Sequence, residues 1–420
     1  MVTSPSHPRV LIVSEHASLA FGGEAALPLH FFRGLFRRGV PVWLIVHERT
    51  RRELEELLPE AADRILYVPD TSLNRLMWKL GARLPKQISY LTFGYISRVA
   101  SQRLARQMAR DLVRKEAITI VHQPIPVSPR EPSLLKDMGA PVIMGPMNGN
   151  MSFPDGFEGS VKGKQALGLF VGAGRAVSSA LHRLMPGKLQ ASALIVANDR
   201  TATGLPKAAK GDVLTLVENG VDLAVWSPPQ PETAPNRDGT RFVFMGRLVD
   251  WKAVDVLVEA MARLPQDIPA TLEIIGNGPM RPSIEAAVQA AGLSDRVTFA
   301  GWLPQSECAK RIAQADALVL PSIYECGGAV VLEAMACSLP VIATAWGGPV
   351  DYLNEECGIL VPPTSRAALV EGFAAAMTKL AADPELRRRM GEAGRARIVA
   401  EFDWNTKIDR ILEIYGRYSR

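Results

Sequence analysis

Cysteine is scarce in this 420-residue chain: Cys308, Cys326, Cys337 and Cys357 are the only four. They form no CxxC pair and no histidine cluster accompanies them, which excludes a disulfide framework and a zinc site. A reduced, cytoplasmic protein is the expectation. Long apolar runs are also missing. The nearest candidate, 166–181, is interrupted by Arg175, so no transmembrane helix is expected. The stretch Met1–Arg9 is polar and carries prolines, without the apolar core of a secretory leader. No G-x-G-x-x-G, no G-x-x-x-x-G-K-S/T and no D-x-D occurs, so a dinucleotide fingerprint, a P-loop and a D-x-D metal site are excluded by motif. What is present is globular in balance, 47% apolar and 22% charged.

The net charge of +5 is unevenly spread. Residues 1–226 hold 28 Lys and Arg against 19 Asp and Glu, whereas 227–420 hold 20 against 24. Between Thr71 and Lys115 ten basic residues face a single acid, Asp111. The segment Tyr95–Lys115 reads as a helix setting Ile96, Val99, Leu104, Met108 and Leu112 against five arginines. Such a segment suits an anionic membrane surface, or is an ordinary amphipathic helix with a solvated face. No nucleic-acid-binding module is recognisable.

Short apolar strands alternate with helical patterns throughout. Strands are expected at 10–13, 42–46, 65–68, 118–122, 141–144 and 194–197, and again at 242–245, 272–275, 297–300, 317–320 and 340–343. A helix over 24–38 should stop at Gly39 in a left-handed cap. Apolar strands separated by helices mean parallel sheets covered on both faces. The expectation is an α/β protein of two doubly wound Rossmann-like domains facing each other across a cleft. These are residues 1–226, completed by a C-terminal helix over about 404–420, and residues 240–403, joined by a Pro-rich linker at 227–239. Such sheets bind ligands beyond the carboxyl ends of their strands.

Three strand-end loops draw attention. Ser14–Gly23 ends in Gly22-Gly23 at a helix start, where backbone N–H groups can approach an anion; Gly-Gly alone also makes a plain turn. In Gly246–Lys252, Arg247 offers a planar fork of donors and Lys252 a point charge, which suits a diphosphate or merely a basic turn. In Ser322–Ala336, Glu325 and Glu333 are eight residues apart. On one continuous helix they would lie roughly 12 Å apart in rise, too far for a glycosidase pair. Glu325 is therefore expected in the loop and Glu333 about two turns into the helix, each meeting a different sugar ring. Glu333 sits among apolar neighbours, where an unpaired charge is costly.

Together these loops resemble the retaining GT-B glycosyltransferases of family 4, the glycosyl transferases group 1. Glu325 to Glu333 matches the family's E-x7-E, and Glu333–Ala343 resembles its EAMAxGxPVIA run with Ser338 in place of Gly. Asn219–Asp222 resembles NGVD. Phe244–Lys252 resembles FxGRLxxxKG, with Ala253 replacing the last Gly. Ala345–Tyr352 resembles the GGxxE loop with Asp351 for Glu, and Glu401–Tyr415 the C-terminal helix. The match is dense over 200–420 and looser before it.

The resemblance implies retaining transfer from a UDP- or GDP-sugar to a glycan or lipid-linked acceptor in polysaccharide or glycolipid assembly, with no cofactor and no metal. Arg247 and Lys252 would grip the donor diphosphate, Glu325 the hexose and Glu333 the ribose. Gly23, Gly327, Gly328, Ala329 and Val330 would present backbone to the donor. His122 would stand near the transferred sugar, or else be a packed histidine. His16 and Asn148 are candidates for acceptor contact. The implied place is the cytoplasm, at the inner face of the cell membrane. Two other readings keep the fold: a GT-B epimerase or phosphorylase, and a non-catalytic sugar-nucleotide-binding scaffold subunit.

Overall fold

A computed structural model describes residues 8–85, 88–89, 92–157, 180–228 and 239–419. The expected linker lies outside them except for its ends, as does most of the 166–181 run. The chain divides into two compact units. Unit 1 comprises Met1–Asn150, Gly168–Glu218 and Ile408–Arg420, and unit 2 comprises Met151–Leu167 and Asn219–Lys407. The division falls at 218/219 rather than at 226. The excursion beginning at Met151 belongs to unit 2, and the Trp404–Tyr418 helix is shared between the units at 407/408.

Unit 1 is built on a parallel sheet of seven strands: β1 (Val10–Val13), β2 (Val42–His47), β3 (Ile65–Val68), β4 (Ile120–Gln123), β5 (Val142–Met147), β6 (Ala193–Val196) and β7 (Asp212–Thr215). Their order is β3-β2-β1-β4-β5-β6-β7. Residues of β1, β2, β4 and β6 are almost wholly enclosed, because helices cover the sheet. The Phe93–Lys115 helix lays Ala105, Ala109, Leu112 and Val113 into a core with Leu11, Val121 and Leu194, and Leu104 and Met108 pack against it. The Gly23–Arg37 helix buries Phe31, Phe32 and Leu35, and Gly39 takes the left-handed conformation expected of its cap. β7 was not expected from the sequence: it is an exposed edge strand without an apolar run.

Unit 2 repeats the design with β8 (Thr240–Met245), β9 (Ala270–Ile275), β10 (Val297–Gly301), β11 (Ala317–Leu320), β12 (Val341–Thr344) and β13 (Gly358–Val361), in the order β10-β9-β8-β11-β12-β13. Both sheets thus carry the 3-2-1-4-5-6 order of a doubly wound fold. Its ligand-binding crevice opens where the order reverses, between the first and fourth strands. In unit 2 that point lies between β8 and β11, the strands that feed the Arg247 and Glu325 loops. No described helix is long and apolar enough to cross a membrane.

Candidate active site

In unit 2 the loop after β8 turns through Gly246 and Arg247 into a short 3-10 turn, Asp250–Lys252, before the Val254–Ala262 helix. Arg247 is exposed, and its guanidinium has no hydrogen bond or ion pair among the described residues. Lys252 and Glu325 form an ion pair with each other, their side chains only 15% and 13% exposed. Separate ligand duties were expected of these two residues; here each neutralises the other. The Ala329–Ala336 helix starts after Gly328, which is left-handed at φ 75°. Glu333 is therefore about one turn into the helix, not two, because Glu325–Gly328 is all loop. Burial among Val331, Leu332 and Ala334 pushes the Glu333 carboxyl up to about 7.

Neighbouring loops hold these groups in place through backbone contacts. Gly348 N–H donates to the Glu325 carbonyl at 2.8 Å. A Cβ on Gly348 would stand 1.9 Å from the Gly327 oxygen, and one on Gly347 would stand 2.1 Å from the Glu325 oxygen. The Gly-Gly of the 345–352 motif is thus the seat on which the Glu325–Gly328 loop rests. The Gly276–Pro279 loop does the same for the other side. Leu248 N–H donates to the Asn277 carbonyl at 3.0 Å, and Met280 N–H to the Leu248 carbonyl at 3.0 Å. Ile323 N–H donates to the Trp251 carbonyl at 2.9 Å, joining the Arg247 and Glu325 loops directly. Residues 151–157, for which no role here was expected, bring Phe153 to 4.8 Å from the Tyr324 ring, while Trp346 Nε1–H donates to the Ser152 carbonyl at 2.9 Å. Such long-range packing leaves no motif in the segment itself.

Two departures from the family pattern gain a physical meaning. Ala253 and Ser338, the two positions at which the sequence departs from a glycine of the motifs it resembles, are both left-handed, at φ 48° and 61°. A Cβ in that conformation costs roughly 1–2 kcal/mol.

Asn219–Asp222 turns out to brace the chain. Val221 N–H donates to the Phe402 carbonyl at 2.9 Å, and Asn219 Nδ2 to the Tyr352 hydroxyl at 3.0 Å.

In unit 1 a cavity of about 1300 Å³ opens beyond β1 and β4. Glu15, His16, His47, Arg49, Arg98 and Glu131 stand on its polar side. The Ser14–Gly23 loop is fixed by Glu53, which accepts from the Leu19 N–H at 2.7 Å and the Ser18 hydroxyl at 2.5 Å. Burial, then Arg49 and Arg98, push His16 down to about 4, so it is neutral at pH 7. His16 Nδ1 and His47 Nε2 are enclosed without hydrogen-bond partners among the described residues, leaving two ring nitrogens for a guest. Gly23 is exposed, with open space where its Cβ would be. Lys188, which burial pushes down to about 7, donates to the carbonyls of Ser128 (2.8 Å) and Pro129 (3.2 Å) and so pins the loop after β4.

Two site candidates lie buried within unit 1. His122 is fully buried: the Tyr415 hydroxyl meets Nδ1 at 2.7 Å and Nε2 meets the Gly145 carbonyl at 2.6 Å. With both nitrogens engaged it is a packed histidine, pushed down to about 4 by burial. Asn148 is 4% exposed and spends its amide within unit 1, donating to Glu218 at 2.8 Å and accepting from Arg200 at 3.1 Å. It ties β5 to its neighbours. Among the described residues no group of three His, Cys, Asp or Glu is arranged to hold a metal ion.

Comparison with known proteins agrees with this geometry. The chain is 33% identical over 225 residues to alpha-maltose-1-phosphate synthase of Mycolicibacterium smegmatis, covering 50% of this chain and 58% of that one. It is 34% identical over 171 residues to a lipopolysaccharide core biosynthesis glycosyltransferase of Rhizobium meliloti, covering 40% and 48%. The chain thus spans about half the length of the curated relatives it matches. Among solved structures, sucrose-phosphate synthase of Thermosynechococcus elongatus superposes over 97% of this chain and 98% of its own, with TM-score 0.66 at 21% identity. Anabaena HepE in complex with UDP superposes over 97% and 100%, with TM-score 0.65 at 16% identity. These likenesses establish the GT-B fold. Residues 230–397 match the model of the glycosyl transferases group 1.

Proposed function

We propose that the protein is a retaining glycosyltransferase that moves a sugar from a UDP- or GDP-sugar to a glycan or lipid-linked acceptor in polysaccharide or glycolipid assembly. One observation carries the reading: Arg247, Lys252, Glu325 and the amides of Gly327–Val330 gather at the switch point of unit 2, with Glu333 one helical turn behind. Exposed Arg247 and the Lys252 ammonium suit a diphosphate, and the start of the Ala329–Ala336 helix adds N–H donors of the same sign. Donor binding then exchanges one partner of Lys252 for another, since the diphosphate competes with Glu325 for it. Glu325, released, turns to a hexose hydroxyl. Glu333 accepts from a ribose hydroxyl.

The chemistry needs no protein nucleophile. The acceptor hydroxyl attacks the anomeric carbon on the face from which the diphosphate departs. The bond from that carbon to the phosphate oxygen breaks, and this oxygen takes the hydroxyl proton. The products are the glycoside, with its configuration kept, and the nucleoside diphosphate. Arg247 and Lys252 stabilise the charge growing on the leaving group, so no metal is required. Relatives named for UDP complexes and for lipopolysaccharide core synthesis support the donor and acceptor classes without fixing them. The reading extends to place: a peripheral protein at the inner face of the cell membrane, where a lipid-linked acceptor would be met.

The test is turnover with UDP- and GDP-sugars in the presence of EDTA, followed by NMR of the product's anomeric proton. Retention in EDTA, with kcat falling about 100-fold or more in Lys252→Ala, is expected. An inverted product, or turnover abolished by EDTA and restored by a divalent ion, would overturn the mechanism.

A further inference from the structure

The surroundings of the two enclosed ring nitrogens in unit 1 decide what each can do. β1 and β2 run side by side, and their pairing continues past the end of β1. Ser14 N–H donates to the Ile45 carbonyl at 2.9 Å, and His47 N–H to the Glu15 carbonyl at 3.2 Å. His16 and His47 thus come to neighbouring strand ends, where both line the cavity. Arg49 donates to His47 Nδ1 twice, from its backbone N–H at 3.3 Å and from Nε–H at 3.1 Å. That nitrogen is the acceptor of a neutral ring, so Nε2 carries the hydrogen. This N–H is enclosed, and Asp70 Oδ1, at 4.0 Å, is beyond hydrogen-bond reach. The His16 ring is set the other way round. Its Nε2 faces the Glu15 carboxylate at 3.5 Å, which draws the proton to that nitrogen and leaves Nδ1 an enclosed acceptor. Phe21 braces the ring edge-on, with centroids 5.5 Å apart.

The cavity therefore offers one buried donor and one buried acceptor. A hydroxyl answers both, since it donates and accepts. A phosphate dianion only accepts and an ammonium only donates, so either would leave one of the nitrogens orphaned. Charge points the same way. Five acids and four bases line the cavity, and Arg49 and Arg98 are turned towards Glu15 and Glu131, each at 3.9 Å. No field of one sign is present to select an ion.

The Ser72–Gly81 helix supplies an apolar surface to the same cavity. Asn74 Nδ2 fastens it to the next helix, donating to Ser97 Oγ at 2.7 Å and Ser101 Oγ at 3.0 Å. Met77 is buried against unit 1, whereas Trp78, which also lines the cavity, is 76% exposed. An exposed indole beside a cavity offers a flat apolar face, which matches the C–H face of a pyranose ring. At about 1300 Å³ the cavity exceeds the roughly 300–1,000 Å³ of pockets that take one drug-sized ligand, so there is room for more than one ring.

We infer that this cavity is a binding site for an uncharged sugar, with hydroxyls bonded to His16 Nδ1 and His47 Nε2–H and a pyranose ring stacked on Trp78. The role of that sugar rests on the proposed function: it would be the hydroxyl-bearing end of the acceptor. Binding is scored without donor or turnover. Loss of transfer activity therefore leaves this site standing, and loss of sugar binding leaves the donor site standing.

The experiment is long-range 1H–15N NMR of the histidine rings in the full chain, assigned by single substitution. The probes are glucose, galactose, mannose, maltose and lactose, with glucose 6-phosphate, mannose 6-phosphate and inorganic phosphate as charged counterparts. In the free protein His47 should carry its hydrogen on Nε2 and His16 should have a bare Nδ1. At least one neutral sugar should move both rings saturably, and its 6-phosphate should bind no tighter. His16→Phe keeps the ring and removes the acceptor, and should weaken that sugar about tenfold. Trp78→Ala should weaken it several-fold with an unchanged melting temperature, because the position is exposed. Rings that no neutral sugar moves, the opposite tautomers, binding that survives both substitutions, or tighter binding of the phosphate esters would each overturn the inference.

Discussion

Gly348→Ala is the most informative single perturbation of the donor loop. The added Cβ would meet the Gly327 oxygen at 1.9 Å and the Cys326 oxygen at 2.8 Å. Relief requires the loop to retreat by about 1 Å or more, at roughly 1–3 kcal/mol for overpacking. The 2.8 Å hydrogen bond from Gly348 to the Glu325 carbonyl would be lost with it, about 1 kcal/mol more. Destabilisation of about 2–4 kcal/mol follows, a drop of about 4–16 °C in the melting temperature of a unit this size. Moving the Gly327–Val330 amides by that distance also breaks their hydrogen bonds to a bound phosphate. At 1.5–3 kcal/mol for a charge-assisted bond, nucleotide affinity should fall about 10- to 100-fold. Gly391→Ala is the matched control. Its Cβ would meet the Ser338 oxygen, also at 1.9 Å, away from the loop. Calorimetric titration with UDP and GDP alongside thermal unfolding separates the two. Similar destabilisation with affinity lost only in Gly348→Ala is expected. Affinity unchanged in a destabilised Gly348→Ala, or lost equally in both, would refute the idea that Gly347-Gly348 seats a phosphate loop.

Three further outcomes follow from the same geometry. Ala253→Gly and Ser338→Gly relieve left-handed strain of about 1–2 kcal/mol but add glycine's chain entropy of about 0.5–1 kcal/mol, so each should stabilise by up to about 1 kcal/mol in urea unfolding; destabilisation would contradict the strain argument. His122, held near 4 against 6.5 when unfolded, stays neutral in the native state while the unfolded chain takes up a proton. Its contribution is therefore complete above pH 6.5 and falls by about 3 kcal/mol as pH drops to 4, a slope that His122→Gln should remove from the pH–stability curve. Glu333 has the opposite sign: with its folded value raised to about 7, it costs stability as pH climbs from about 4.5 through 7. Glu333→Gln should raise the melting temperature more at pH 8 than at pH 5 while weakening nucleotide binding; equal shifts at both pH values would count against a buried carboxylate.

Much of this was legible in the residues, and for identifiable reasons. Apolar runs such as Val10–Val13 and Ala317–Leu320 are enclosed on both faces, so composition alone marks them, whereas β7 is an exposed edge and β13, Gly358–Val361, is short and half-buried. Arg247, Lys252, Glu325 and Glu333 stood out as candidates because their spacing is tied to a strand end and a helix start. The pairing of Lys252 with Glu325 did not, since it joins residues 73 apart in the chain. Nor did the duties of Gly347, Gly348 and Gly278, because a close backbone approach leaves a glycine and no record of what approaches. The buried settings of His122 and Asn148 were not legible for one reason: a polar residue at a strand end reads alike whether it faces a ligand or a buried neighbour. The apolar stripe of the Phe93–Lys115 helix faces the core, because periodicity shows that a stripe exists and not what covers it.

The central claim is that unit 2 grips a nucleoside diphosphate through Arg247 and Lys252. Thermal-shift titration with UDP, GDP and ADP, in EDTA, on wild type, Lys252→Ala and Arg247→Ala tests it most directly, since a ligand that binds only the folded state raises the melting temperature. The account predicts a saturable rise with UDP or GDP that either substitution largely removes. No shift with any nucleotide in well-folded protein, or a shift that survives both substitutions, would contradict it.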